Sequence, residues 1–317
     1  LEFRRVLFRS TPQVRFKDLG LVIVDEEQRF GVEHKEHLKA LRTSVDVLTM
    51  SATPIPRTLA MTVYGDLDVS IIDELPPGRM PVRTVVIPEE RRSEVVQRVA
   101  ETCKRGQQVY WVCGVIEESE EIDHQAAIEA AAALTAALPE VRVGLVHGRM
   151  KPQDKAAMMK AFAANEVQLL VATTVIEVGV DVPNATVMVV ENAERMGLAQ
   201  LHQLRGRIGR GTQESSCVLL YRGPLSEVAR ARLMAIRDSS DGFEIAQRDL
   251  ELRGPGEMLG TRQAGLAQLR VAELVRDADL LPAVRAAAMR ISTDYPDRVN
   301  ALIARWIGFR EQYGRVG

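Results

Sequence analysis

The feature that most constrains the fold is the alternation of short apolar runs with helical patterns over the first two-thirds of the chain. This alternation is typical of a parallel sheet covered by helices on both faces. The runs are continuously apolar, as expected for strands buried on both sides. The predicted fold class is therefore α/β. Strands are predicted at 19–25, 45–52, 82–87, 108–113, 141–147, 168–174, 186–191 and 216–221. Helices are predicted at 90–104, 122–138, 153–164, 225–237, 280–291 and 298–312.

The domain boundaries follow from breaks in these patterns. The run Pro-Pro-Gly-Arg-Met-Pro at 76–81 interrupts any regular element and predicts an interdomain linker. It separates a partial first domain at 11–75 from a second domain at 82–223, and 224–317 is expected to be helical. The first ten residues, LEFRRVLFRS, are broken by arginines and are interpreted as a non-native or truncation leader.

Composition excludes several functional classes. Lys and Arg total 41 against 43 Asp and Glu, a net charge of -2, so any contact with nucleic acid must come from local basic patches. No apolar run approaches the roughly 20 residues that span a bilayer, and no membrane partner is expected. The three cysteines form no CxxC pair, which gives no sign of a zinc site or a disulfide and fits a cytoplasmic location.

A first candidate site follows the earliest strand. The run Leu-Val-Ile-Val at 21–24 leads directly into Asp25 and Glu26. Ligands bind at the carboxyl ends of parallel strands, where Asp25 could hold Mg²⁺ through water and Glu26 could orient the water that attacks a γ-phosphate. Alone the signal is weak, because an acidic pair after a strand is more often a solvated turn.

Hydroxyl residues follow two other predicted strands. Ser51 and Thr53, in the run Ser-Ala-Thr-Pro, are suited to hydrogen-bonding the carboxylates or sensing the bound nucleotide. Thr173 and Thr174 are suited to contacting a DNA phosphate. The alternative is an ordinary strand exit in each case.

The latter threonine pair is followed by Gly179 and Asp181. Gly179 permits close backbone approach. Asp181 is suited to accepting a bond from a ribose hydroxyl or a partner arginine.

The strongest signal is the run Gln-Leu-His-Gln-Leu-Arg-Gly-Arg-Ile-Gly-Arg-Gly at 200–211. Arg207 and Arg210 are three residues apart, so on a helical turn both guanidinium groups would face the same way and reach triphosphate oxygens. This predicts an arginine finger, with a generic basic patch as the alternative. His202 is interpreted as a packing or capping residue.

Together these segments resemble motifs of the superfamily 2 helicases, in the same order and with similar spacing. Further runs at 59–79, 110–119, 145–152 and 195–211 resemble the RecG family, and the likeness extends over about 16–313. The resemblance implies a RecA-like parallel sheet, with a partial first lobe and a helical translocation region. It also implies ATP and Mg²⁺ as cofactors, catalytic roles for Asp25, Glu26, Gln28, Arg207 and Arg210, and nucleotide contacts by Gly179, Asp181 and Gln203.

The family resemblance extends to a translocation motif at 242–263. In the family, a helical hairpin feeds a loop of this kind and couples lobe closure to movement on duplex DNA. The resemblance implies that Arg253, Arg262 and Gln263 take part in this coupling. It implies branched duplex DNA as the partner and fork regression or Holliday junction migration as the activity. A single-strand-binding protein is a further implied partner.

Two departures from the family pattern affect these expectations. No G-x-x-x-x-G-K-[ST] run occurs, so the loop that cradles the β- and γ-phosphates is missing. This chain alone is therefore interpreted as a fragment and is expected to have no ATPase activity. Residues before about Ser51 resemble the transcription-repair coupling factor instead. A gene joined within 51–59 and natural divergence both explain this. A coupling-factor translocase and a non-catalytic DNA-binding module therefore stay as alternative functions.

Overall fold

A computed structural model describes residues 20–25, 45–50, 70–72, 74, 79–114, 120–173, 182–253 and 277–306. The chain divides into two compact units, Leu1–Thr53 and Pro54–Gly317. The domain bounds given above stay a prediction.

The described part of the first unit is a pair of parallel strands, β1 (Leu21–Asp25) and β2 (Asp46–Met50). Their register pairs Leu21 with Asp46 and Asp25 with Met50. Val24 is buried and the other two valines of the pair are half-buried, whereas its Leu, Ile and Met side chains are 41–53% exposed. This pair therefore buries little apolar surface.

The second unit is built on a six-stranded parallel sheet with the strand order β3-β8-β7-β4-β6-β5. The strands are β3 (Val82–Pro88), β4 (Gln108–Cys113), β5 (Val143–Val146), β6 (Leu169–Ala172), β7 (Ala185–Glu191) and β8 (Ser215–Tyr221). The helices are α1 (Arg92–Lys104), α2 (Glu120–Ala137), α3 (Pro152–Ala163), α4 (Leu198–Arg205), α5 (Glu227–Asp238), α6 (Gly242–Arg253), α7 (Leu281–Asp294) and α8 (Pro296–Trp306). The α/β prediction and all eight predicted strands are confirmed.

The core lies on both faces of this sheet because side chains alternate along each strand. On one face Trp111 of β4 packs with Val95 and Val99 of α1 and with Leu134 of α2. On the other face Tyr110 of β4 belongs to one buried cluster with residues of helices α3 to α6: Phe162, Leu198, Leu233 and Ile245. Strands β4 and β6 are buried along their whole length, as their continuous apolar sequence predicts.

After β8 the described residues are helical, which confirms that part of the sequence prediction. Ser226 is the N-cap of helix α5, and its hydroxyl accepts a hydrogen bond from the backbone N–H of Ala229 at 3.2 Å. Helices α7 and α8 are mostly exposed, and residues 307–312 of the last predicted helix lie outside the described part. None of the helices described in the second unit is long and apolar enough to span a bilayer.

Candidate functional site

The arginine-rich segment is carried by α4. Leu198, Leu201 and Leu204 are buried in the core cluster on this face of the sheet and fix the helix in place. The helix ends at Arg205, and Gly206 is its C-cap. Arg207 and Arg210 therefore lie beyond the helix, and the expectation that they share a helical turn is wrong. Gly209, with φ at +72°, adopts a left-handed conformation that a helix does not contain.

The two arginines instead extend from a short irregular segment, 206–211. The N–H of Arg207 donates to the carbonyl of Leu204 at 2.9 Å, which continues the chain from the helix as a turn. The Nε of Arg210 donates to the carbonyl of Gly206 at 3.4 Å. Arg207 is half-buried and Arg210 is exposed. Gln203 is half-buried on α4.

This arrangement is chemically suited to an anion. A guanidinium group presents a planar set of donors that matches phosphate oxygens. The two guanidinium groups lie on a six-residue segment that directly follows a buried helix. The backbone that carries them is therefore held in place. The arginine-finger role of Arg207 and Arg210 stays a prediction.

A second arginine of the segment has a different environment. Arg205 is 5% exposed, and its Nη1 donates to the carbonyls of Ile236 and Ser239, each at 2.7 Å. These carbonyls lie at the C-terminal end of α5, where a helix carries partial negative charge. Arg205 therefore ties α4 to α5.

Arg205 also contacts His202, whose Nδ1 lies 3.1 Å from its Nη2. Burial and the neighbouring Arg205 charge lower the pKa of His202 to about 4. The imidazole is thus neutral near pH 7, in a position where Nδ1 can accept from the guanidinium. This agrees with the packing role expected for His202.

The importance of Arg205 was missed in the sequence. A usable signal exists, because Leu198, Leu201 and Arg205 follow the i, i+3, i+7 spacing of one helix face. An arginine at a core-facing position of an apolar helix must find acceptors inside the protein.

The remaining predicted residues of the second unit are only partly described. Thr173 directly follows β6 and is 7% exposed, so its side chain is largely closed to solvent. Its predicted DNA contact stays a prediction. Thr174, Gly179 and Asp181 lie outside the described residues. Arg253 is the last residue of α6, and Arg262 and Gln263 lie outside the described part.

In the first unit, Asp25 is the last residue of β1 and is exposed, as expected for a carboxylate at a strand end. Glu26, Gln28, Ser51 and Thr53 fall outside the described residues. Within the described ranges, no group of three or more His, Cys, Asp or Glu side chains is arranged to hold a metal ion. An exposed carboxylate at this position fits one ligand of an ion such as Mg²⁺ that keeps several waters.

A cluster of basic side chains that was not predicted from the sequence lies after β5. The rings of His124 and His147 are 3.9 Å apart between centroids, and Lys155 donates to the carbonyl of Gly148 at 2.6 Å. Burial first, then the neighbouring charges, including Lys155 and Arg149, lower the pKa of His147. The clustered donors are suited to binding a phosphate group. The signal was present in the run His-Gly-Arg-Met-Lys at 147–151, which served only for the family resemblance.

Comparison with known proteins places this geometry in a class. The family model for the helicase conserved C-terminal domain matches residues 91–212. A DNA-bound, AMPPNP-bound structure of the DUF1998 helicase MrfA has a TM-score of 0.52 at 15% identity over 73% of this chain and 37% of that chain, a likeness of fold alone. The six-stranded sheet and its flanking helices therefore have the α/β RecA-like fold, and residues 91–212 within them are a helicase C-terminal domain.

The particular family follows from closer relatives. The chain is 58% identical over 96% of its length to the ATP-dependent DNA helicase RecG of Acidithiobacillus ferridurans, and 57% identical over 96% to that of Escherichia coli (strain K12). A family model for RecG domain 3, C-terminal, matches residues 239–304. A structure of RecG bound to a three-way DNA junction has a TM-score of 0.65 at 46% identity, covering 85% of this chain and 34% of that one. The chain belongs to the RecG family.

The matches also define how much of these relatives the chain represents. It spans 44% of the Acidithiobacillus protein and 45% of the Escherichia coli protein. Because each alignment covers 96% of the chain, it extends across Ser51 into the residues that resemble the coupling factor. The likeness to RecG is thus not confined to the later residues.

Proposed function

We propose that this chain is the C-terminal motor part of an ATP-dependent translocase that acts on branched duplex DNA. The full protein would regress stalled forks and migrate Holliday junctions in DNA repair and recombination. The observation that carries the proposal is the segment 206–211, which presents two arginines beside a buried helix of a helicase-class lobe. The relatives at 57–58% identity, named as ATP-dependent DNA helicases, support it.

In this proposal the protein hydrolyses ATP and uses Mg²⁺ as the metal cofactor. Asp25 holds Mg²⁺ and Glu26 orients the attacking water, with Gln28 beside them in sequence. Gly179, Asp181 and Gln203 contact the nucleotide. Arg207 and Arg210 stabilise the charge that develops on the transferred phosphoryl group, the role of an arginine finger. Bound Mg²⁺ would neutralise charge on the β- and γ-phosphate oxygens.

Branched DNA is the proposed polymer partner. One solved relative is RecG bound to a three-way DNA junction. Thr173 and Thr174 are proposed to contact the DNA backbone. Ser51 and Thr53 are proposed to hydrogen-bond the carboxylates and so couple the nucleotide state to DNA binding. Arg149 and Lys155, whose charges act on the neighbouring His147, supply a local basic patch that a chain of net charge -2 needs for such a contact.

The proposal also covers the coupling of ATP hydrolysis to DNA movement, a protein partner and the location in the cell. Arg253, Arg262 and Gln263 would couple ATP turnover to DNA movement. A single-strand-binding protein as a further partner and a cytoplasmic location rest on the family resemblance.

The proposed role of the arginines is tested in the full-length protein that contains this chain. Arg207→Ala and Arg210→Ala are compared with Arg230→Ala, an exposed arginine of α5. With forked DNA present, we expect each of the first two variants to lower kcat for ATP hydrolysis by about a thousandfold, because an arginine finger acts on the transition state. The control is expected to keep the wild-type kcat. Wild-type kcat in both finger variants would contradict the proposal.

A nucleotide titration separates the motor from a DNA-binding module. The full-length protein is expected to bind ATP with Mg²⁺, and failure to bind it would favour the module. The 317-residue chain alone is expected to show no DNA-stimulated hydrolysis, because its sequence contains no phosphate-binding G-x-x-x-x-G-K-[ST] loop. Turnover by the isolated chain above a protein-free blank would contradict this.

A further inference from the structure

The predicted linker makes a direct contact with the arginine-bearing segment. Arg79, near the end of the run at 76–81, donates from Nη2 to the carbonyl of Gly206 at 3.4 Å. The two residues are 127 positions apart in sequence, and Arg79 is half-buried. The contact lies within the second unit.

The accepting carbonyl has special electrostatics. Gly206 is the C-cap of α4, where the last carbonyls of a helix lack helical partners and carry partial negative charge. The same carbonyl accepts from Nε of Arg210, also at 3.4 Å. One acceptor therefore joins a guanidinium of the linker to a guanidinium of the predicted finger.

A second contact links the same two stretches independently. A Cβ on Gly209 would lie 2.7 Å from Cγ2 of Val82 and 3.7 Å from the carbonyl oxygen of Met80. Gly209 also has φ at +72°, which favours glycine. Residues 79–82 thus pack against the turn that carries Arg207 and Arg210, at a distance that leaves no space for a side chain.

We propose that Arg79 is a positioning residue that holds the segment 206–211 in register with the linker, so that the linker conformation sets where Arg207 and Arg210 point. This rests on the proposed function, in which those two arginines act on ATP. Arg79 itself touches no nucleotide in this scheme. Its effect passes through Gly206 and the closely packed Gly209.

The test uses Arg79→Gln and the conservative Arg79→Lys, with Arg83→Gln as the matched control. Arg83 is four residues further on, exposed on β3. In the full-length protein with forked DNA, we expect Arg79→Gln to lower kcat for ATP by about tenfold with KM changed less than about threefold, because misplacement of the finger affects the transition state. Arg79→Lys should recover part of kcat, since it keeps a charged donor. Arg83→Gln should match the wild type.

A second readout does not depend on activity. In the 317-residue chain, hydrogen exchange of the amides at 206–211 is expected to accelerate in Arg79→Gln and to stay unchanged in Arg83→Gln. Unchanged exchange, or wild-type kcat in Arg79→Gln of an otherwise active protein, would overturn this inference alone. A wild-type protein without ATPase activity would instead overturn the proposed function and the positioning role with it. Circular dichroism melting identifies a variant that has merely unfolded.

Discussion

At the scale of single residues, Arg205 is expected to stabilise the arginine-bearing helix by tying it to α5. Arg205→Ala removes two short hydrogen bonds and leaves the carbonyls of Ile236 and Ser239 without this donor. We expect a loss of about 2–4 kcal/mol in the free energy of unfolding, measured by urea denaturation. Arg230→Ala, on the exposed side of α5, should cost less than about 0.5 kcal/mol. Equal losses in the two variants would show that Arg205 is not a structural tie.

His202 gives a pH dependence of stability whose sign follows from its burial. Its folded pKa of about 4 lies below the usual 6.5, so between these values the unfolded chain binds more protons than the folded one. The contribution to stability is complete above about pH 6.5 and is lost as the pH falls towards 4, by up to about 3 kcal/mol.

The measurement for His202 compares unfolding free energies of the wild type and His202→Asn from pH 7 to pH 4. The variant is expected to have a flatter profile over that window, whatever its stability at pH 7. Parallel profiles would mean that His202 titrates normally in the folded protein.

At the scale of elements, the close packing of the arginine-bearing turn against β3 is tested by two glycines. Gly106 and Gly209 both have positive φ, at +81° and +72°, but an added Cβ meets nothing within 4 Å at Gly106 and lies 2.7 Å from Val82 at Gly209. Gly106→Ala should therefore lower the free energy of unfolding by about 1–2 kcal/mol, from backbone strain alone. Gly209→Ala should cost about 1–3 kcal/mol more from overpacking.

A double-mutant cycle isolates the packing contribution. In a Val82→Ala background the extra cost of Gly209→Ala over Gly106→Ala is expected to shrink, because the clashing methyl group is gone. Urea denaturation of the single and double variants gives the coupling energy. An unchanged difference would show that the two elements are not in close contact.

The elements differ in how well the sequence predicts them. The strands were predictable because buried parallel strands are continuous apolar runs, and β4 and β6 show this most clearly. The helical turn expected for Arg207 and Arg210 was wrong because their spacing of three favoured a helix, whereas Gly206 and Gly209 are stop signals that prevail.

The contacts of Arg79 and Arg205 could not be read from the sequence in this way. Each contact joins residues that are far apart along the chain, so it depends on how the folded helices and strands pack together. Local periodicity places Arg205 on a buried face but does not identify the carbonyls of α5 as its acceptors. The linker run predicts a break in regular structure but no contact with Gly206.

At the scale of the whole molecule, the two units should differ in local stability, because the described residues of the first unit bury much less apolar surface than those of the second. In the described residues, β1 and β2 form a two-stranded pair in which only Val24 is buried and the Leu, Ile and Met side chains are 41–53% exposed. Strand β6 lies inside a six-stranded sheet and is fully buried. A two-stranded pair is marginal in water, whereas central strands open only with the whole domain.

Hydrogen exchange of the 317-residue chain measures this difference directly. The sequences LVIVD of β1 and LLVA of β6 are similarly apolar, so their amides serve as a matched pair with comparable intrinsic exchange. We expect the amides of β6 to exchange through global unfolding, at rates that fall as stabilising osmolyte is added. The amides of β1 should exchange through local opening, and their exchange rates should respond only weakly to osmolyte, because little surface is exposed when two strands separate. Equal protection in the two strands would mean that the first unit is stabilised by more than the pairing of β1 with β2.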